Sequence, residues 1–379
     1  MSLLEGLGLL PEWHMNPVDG VPEYIRRLVP YLPGKPIEEV EREYGIANSV
    51  KLASNENPLG PSPKAIRAIR DKLDQLHLYP DGDCFYLKSA LANKLGVSPE
   101  HLIFGNGSNE LIELAVRTFM RPGDEAVMAR QAFVVYQLVV QAAGGVGKAV
   151  PLTNFTHDLS AIAEAIGPKT RVVFLANPNN PTGTIYRRDE WESFLQKISP
   201  EVLIVVDEAY FEYVGDADYP DSLKYHNRGQ TLFTLRTFSK LYGLAGLRLG
   251  YGIASKEVVD LLHRVRQPFN VNSVAQWAAL AALEDDEHVR RSLDVNQRGM
   301  EYLSQEIAQL GLEQVPSNAN FILLRVGNGN DVFQQLLAQA VIVRPMAVYE
   351  LPEYVRVTVG TMEENRKFID ALKKIIKSY

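Results

Sequence analysis

The chain has 379 residues, 46% hydrophobic and 22% charged, with 27 glycines and 22 prolines. That balance belongs to a globular protein with a full-sized core and excludes disordered, collagen-like and coiled-coil sequences. Lys and Arg number 39 against 46 Asp and Glu, a net charge of −7, which excludes the basic footprint of a nucleic-acid binder.

A single cysteine, Cys84, can form no intrachain disulfide, and no Cys/His cluster offers a metal site. A reducing compartment follows. The opening MSLLEGLGLLPEW carries Glu5 and no Lys or Arg, unlike a signal peptide. No run approaches the roughly 18 apolar residues of a membrane span. The expectation is a soluble cytoplasmic protein with neither nucleic-acid nor membrane partners.

In chain order, the first 50 residues carry Pro22, Pro30, Pro33 and Pro36 and read as an extended arm (1–50) packing on its neighbours. From about Pro99, short β-rich runs alternate with amphipathic helices. AVMAR (126–130), RVVFLA (171–176), VLIVVDE (202–208) and TLFTLRTF (231–238) read as buried strands; 133–144 and 188–198 read as helices. This alternation predicts an α/β domain over 51–283, a mostly parallel sheet covered by helices on both faces. A smaller α+β domain over 284–379 follows: a long charged helix through Leu310, strands at 320–326, 341–346 and 354–360, a helix at 331–339, and a last helix to Tyr379.

Three strand ends in the large domain carry polar residues that a buried strand does not need. RVVFLA runs into NPNNPTG (177–183), VLIVVDE ends in Asp207 and Glu208 with Tyr210 just beyond, and TLFTLRTF runs into Ser239 and Lys240. Ligands of open α/β sheets bind outside the carboxyl ends of the strands, so the three segments are expected to converge. A carboxylate at a dry strand end needs a cation, and a desolvated lysine tends towards the nucleophilic free amine. Together they suggest pyridoxal phosphate, with the lysine as its covalent anchor and the carboxylate keeping the pyridine nitrogen protonated. The plainer alternative is an ion pair between Asp207 and Lys240.

GNGSNELIELAVRTF (105–119) places glycines, Ser108 and Asn109 before a helix, where free N–H groups favour an anion. An ordinary N-cap is the competing reading. Arg248, in GLAGLRLGYG (243–252), sits in an expected strand where a charge needs an anion.

Taken together, KLASNENPLGPSP (51–63), LYPDG (78–82), NPNNPTG, VVDEAY (205–210), TFSKLYGLAGLRLGYG (237–252), RQPFNVN (266–272), VRPM (343–346) and YVRVTVGT (354–361) resemble the fold type I pyridoxal-phosphate aminotransferases, and among them the histidinol-phosphate aminotransferase family. The resemblance implies Lys240 as the Schiff-base lysine, Asp207 as partner of the pyridine nitrogen, and Asn180 and Tyr210 as donors to the ring hydroxyl oxygen. It implies Ser108, Asn109, Thr237, Ser239 and Arg248 at the cofactor phosphate, joined by Tyr79 from the neighbouring subunit of a homodimer. Phe133 falls where the family has a ring-stacking tyrosine, so stacking is expected without the hydroxyl. Arg356 resembles the arginine that grips the substrate carboxylate; a solvated strand arginine is the alternative. Tyr31 and Arg344 fall at further substrate contacts, or are a packed aromatic and a surface charge.

The implied reaction is transamination between histidinol phosphate and 2-oxoglutarate, a step of histidine biosynthesis. An aromatic amino-acid aminotransferase, or a related decarboxylase of a phosphorylated amino acid, would share these motifs.

Overall fold

The computed structural model describes residues 16–31 and 34–376. The opening apolar stretch 1–13 and the last three residues therefore lie outside the described residues. A short strand β1 (Val50–Lys51) precedes β2 (Leu102–Asn106), β3 (Glu125–Ala129), β4 (Val146–Val150), β5 (Thr170–Ala176), β6 (Leu203–Asp207), β7 (Thr231–Thr237) and β8 (Leu249–Ala254). Strands β2 to β8 form one seven-stranded sheet in the order β2-β8-β7-β6-β5-β3-β4. Only β8 runs antiparallel to its neighbours in it.

The strands at the middle of this sheet are apolar on both faces because both faces are covered. Phe174, Val205 and Phe233 point to one side, against the helices Ser108–Phe119, Val135–Ala142 and Lys256–Val265. Val173, Ile204 and Leu232 point to the other, against the helices Leu159–Ala165 and Arg188–Lys197. Each such side chain contributes about 1.5–3 kcal/mol on burial.

The expected strands of the large sheet are present with ends shifted by a residue or so, whereas the one expected at 341–346 is broken at Val343 into Val341–Ile342 and Arg344–Pro345, which join different sheets. Strand β4 carries no clear strand signal in the sequence because, as an edge strand, it is half solvated and carries Gly147 and Lys148 in place of a continuous apolar run. The strand expected to contain Arg248 begins one residue later. Arg248 itself takes a left-handed conformation (φ 59°) that ends a 3-10 turn.

Beyond the helix Asp286–Gln309 come β9 (Gln314–Val315), β10 (Phe321–Arg325), β11 (Val341–Ile342), β12 (Arg344–Pro345) and β13 (Tyr354–Thr358). The order β12-β13-β10-β9 makes a four-stranded sheet, and β11 pairs instead with β1. Ile322, Leu324, Val355 and Val357 pack with Leu303 and Ile307 of the long helix and Phe368 and Leu372 of the last helix. The segment expected as an extended arm is partly helical instead: the helix Ile37–Tyr44, entered from Pro36 and ended at Gly45, joins this body by burying Val40 against Ala53, Leu337 and Ile342. No helix among the described residues is long and apolar enough to cross a membrane.

Candidate active site

The carboxyl ends of β5, β6 and β7 open onto a cavity of about 180 Å³. Asp207 is the last residue of β6, in register with Ala176 of β5 and Leu235 of β7. Its carboxylate is buried at 6% exposure and accepts hydrogen bonds from the Tyr136 hydroxyl (2.7 Å) and the Ala209 amide (3.1 Å). Burial pushes this carboxyl above its usual range, opposed by those two donors and by the positive charge of Lys240. Tyr136 is held flat on Phe174 with ring centres 4.8 Å apart, and Phe133 meets its edge.

Nothing in the sequence marks Tyr136 as more than a packing residue. It sits one helical turn beyond Phe133 and reads as core until its hydroxyl is seen to end on Asp207.

Lys240 follows β7 and the buried Phe238 and Ser239. Its amine donates to the Ser54 carbonyl at 3.2 Å and lies 5.5 Å from the centre of the Tyr210 ring. Burial first, and the Arg356 and Arg248 charges next, bring the amine down to about 8. Asp207 and Lys240 form no ion pair, so the carboxylate still calls for a cation and the amine is poised to lose its proton.

The far end of the cavity is built for an anion. The helix Ser108–Phe119 has Gly107 at its N-cap with no side-chain cap, so Ser108 and Asn109 occupy its first turn and leave the N–H groups there open. Gly107 has φ 75°, and a Cβ there would meet Arg248 Nη2 at 2.6 Å; only glycine lets the guanidinium lie over the helix start. Thr237 and Ser239 line the same end, linked by a 3.0 Å bond from the Ser239 amide to the Thr237 hydroxyl.

A third group approaches the cavity from the four-stranded sheet, behind Asn180. Arg356, in the middle of β13, is only 7% exposed, which removes the solvated alternative. It donates through Nη1 to Asn180 Oδ1 and through Nη2 to the Ala53 carbonyl (2.8 Å), while its Nε has no partner. Asn180 is offered by a fixed loop, since the neighbouring Asn179 bonds the Gln131 carbonyl, Thr182 and His157. Tyr210 accepts from Asn55 Nδ2 at 2.9 Å and packs its ring against the edge of Phe321.

The arrangement can hold an anion at one end, a cation at Asp207 and a carbonyl beside Lys240. A profile of aminotransferase class I and II matches residues 47–372. The chain belongs to that aminotransferase family. It is 51% identical over 366 residues to the histidinol-phosphate aminotransferase of Moorella thermoacetica, covering 95% of each chain. It is also 51% identical to that of Methylobacillus flagellatus, covering 95% of this chain and 98% of the relative. The crystal structure of histidinol-phosphate aminotransferase from Sinorhizobium meliloti in complex with pyridoxal-5'-phosphate superposes with a TM-score of 0.88 at 27% identity, over 95% of this chain and 98% of that one.

In this aminotransferase four of the expected residues stand outside the cavity lining: Arg356, which touches it through Asn180, and Tyr79, Tyr31 and Arg344. Tyr79 is 83% exposed and stacks on Phe269 at 4.9 Å. Arg344 lies opposite Arg356 in the β12–β13 register and sets its guanidinium 5.5 Å from the centre of the half-exposed Tyr31 ring.

Proposed function

We propose that the protein transfers an amino group from histidinol phosphate to 2-oxoglutarate with pyridoxal phosphate as cofactor, acting in the cytoplasm as a homodimer. The observation that carries this reading is Lys240, its amine lowered to about 8, sharing one cavity with the buried, cation-seeking Asp207. The residues fit the cofactor: Arg248, Ser108, Asn109, Thr237 and Ser239 suit its phosphate, Phe133 its flat ring, and Asn180 and Tyr210 its ring oxygen. Bound there, pyridoxal phosphate supplies an aldehyde and an electron-withdrawing ring that loosens the Cα–H bond of an amine.

The protein's own part follows from its geometry. Lys240 anchors the cofactor and, once free, carries a proton away from the substrate Cα; an amine near 8 suits that work better than one near 10.4. Asp207, fixed by Tyr136, holds positive charge on the ring side. Arg356 grips the anionic end of either substrate, and its unpartnered Nε is the donor such an anion would satisfy. Arg344 stands opposite it in the strand register.

The homodimer reading rests on the exposed apolar surface around Leu78, Tyr79, Phe85, Tyr86 and Phe269, larger than scattered surface residues require. A two-fold interface would bury it and lend Tyr79 to the other site. Light scattering should give a dimer; a fully active monomer contradicts this point. For the reaction, histidinol phosphate, aromatic amino acids and aspartate would be assayed with 2-oxoglutarate. Histidinol phosphate should give the highest kcat/KM. A higher value for an aromatic amino acid, or carbon dioxide release without glutamate, would overturn the assignment.

A further inference from the structure

Three consecutive residues in KLASNENP, a segment given no role so far, touch three different groups of the site. The Ala53 carbonyl accepts from Arg356, the Ser54 carbonyl from Lys240, and Asn55 Nδ2 donates to the Tyr210 hydroxyl. Of the three, only Asn55 acts through its side chain. It is 1% exposed and left-handed (φ 55°), a conformation that asparagine tolerates better than most residues.

Its other polar groups are committed as well. Its amide donates to Thr358 Oγ1 (2.9 Å), its Oδ1 accepts from the same hydroxyl (3.1 Å), and its carbonyl accepts from Asn320 Nδ2 (3.1 Å). Thr358 lies two residues beyond Arg356, on the same face of β13. Asn55 therefore ties the phenol at the end of the seven-stranded sheet to the strand that carries the anion-binding arginine.

We propose that Asn55, anchored by Thr358, is a positioning residue that orients the Tyr210 hydroxyl and strengthens it as a donor towards the cofactor's ring oxygen. A hydroxyl that accepts one hydrogen bond donates a stronger one, and the amide donor leaves the phenol proton free to point into the cavity. The charged groups facing Tyr210 are Arg356, Asp207 and Lys240; they stay in place when Asn55 is changed, so a shift can be read against a constant background. The inference rests on the transaminase reading and deepens it.

The test compares wild type with Asn55→Gly, Asn55→Asp, Thr358→Val and Thr358→Ser, all loaded with pyridoxal phosphate, by visible absorbance against pH and by steady-state kinetics. Asn55→Gly keeps the left-handed backbone and removes the donor. Its absorbance midpoint should rise by about half to one pH unit and kcat should fall about tenfold. KM for glutamate should move little, since Arg356 keeps its bonds to Ala53 and Asn180. Asn55→Asp preserves size but offers the phenol an acceptor, turning the proton away from the cavity, so its midpoint should rise further than that of Asn55→Gly. Thr358→Val should shift in the same direction by less, and Thr358→Ser should restore wild-type values.

A purely structural residue would lower thermal stability and leave the midpoint of the loaded fraction unchanged, with Asn55→Asp milder than Asn55→Gly. That pattern would overturn the proposal. If the Asn55 variants do not fold, the Thr358 pair decides: equal midpoints for Val and Ser refute it. A wild-type protein that neither develops visible absorbance nor transaminates refutes the transaminase reading itself, independently of Asn55.

Discussion

On the seven-stranded sheet the functional groups stand at or just beyond the carboxyl ends of β6 and β7, and the buried Arg236 within β7 is paired with the carboxylates of Glu208 and Asp221; in the four-stranded sheet Arg356 stands mid-strand and meets only neutral groups. A strand end can reach a ligand without interrupting the core, so Asp207 and Lys240 are carried on a scaffold with a buried cluster on each face. A charge in mid-strand must be paid for within the sheet, and Arg356 meets that cost with Asn180 and the Ala53 carbonyl, leaving Nε unpartnered. Under the proposed function the large sheet would carry bond-making and the small one recognition of the substrate anion, the two joined through residues 53–55. Substitutions of Lys240, Asp207 and Tyr136 should therefore lower kcat, and those of Arg356 should raise KM.

The largest effect is expected at Lys240. Lys240→Ala should abolish turnover and the visible absorbance of the loaded protein, and borohydride reduction of the wild type should fix the cofactor on this residue alone. Label on another lysine would break the comparison at its first point.

Asp207→Ala should still take up cofactor but lose about 10²–10³ in kcat, the scale seen when a preorganised electrostatic group is removed. A kcat near wild type would make Asp207 a structural carboxylate only.

Arg356→Lys keeps the charge and loses the planar fork. It should raise KM for glutamate and for histidinol phosphate together, by roughly 1.5–3 kcal/mol, with kcat little changed. If only one substrate is weakened, the two anions use separate sites, and Arg344 with Tyr31 becomes the better candidate for the phosphate.

Tyr136→Phe is the mildest. It retains the stack on Phe174 and removes one bond to Asp207, so kcat should fall about tenfold while KM holds. An effect on KM alone would place Tyr136 on the recognition side.

Much of the large sheet's contribution was legible in the sequence because its signals are local. An apolar run followed by a charged residue marks β6 with Asp207 and β7 with Lys240, and the glycines before Ser108 mark the open helix start. What was not legible depends on contacts distant along the chain. Nothing around Tyr136 reveals that its hydroxyl reaches Asp207, 71 positions on. Asn55 finds Tyr210 and Thr358 across separations of 155 and 303 residues. The cross-strand pairing of Arg344 with Arg356 depends on the register of β12 against β13, which two short segments with a loop between them do not specify on their own. Edge strand β4 escaped for a different reason: exposure, not distance, broke its apolar pattern.

Burial lowers the Lys240 amine to about 8 at the end of a dry strand, beside a carboxylate that does not pair with it. The most direct test is the rate at which the cofactor-free protein captures pyridoxal phosphate covalently, followed as a function of pH. The rate should rise as the amine loses its proton and level off above about 8. A rate that keeps climbing towards the ordinary lysine value of about 10.4 would show a solvated, unperturbed amine and contradict the account.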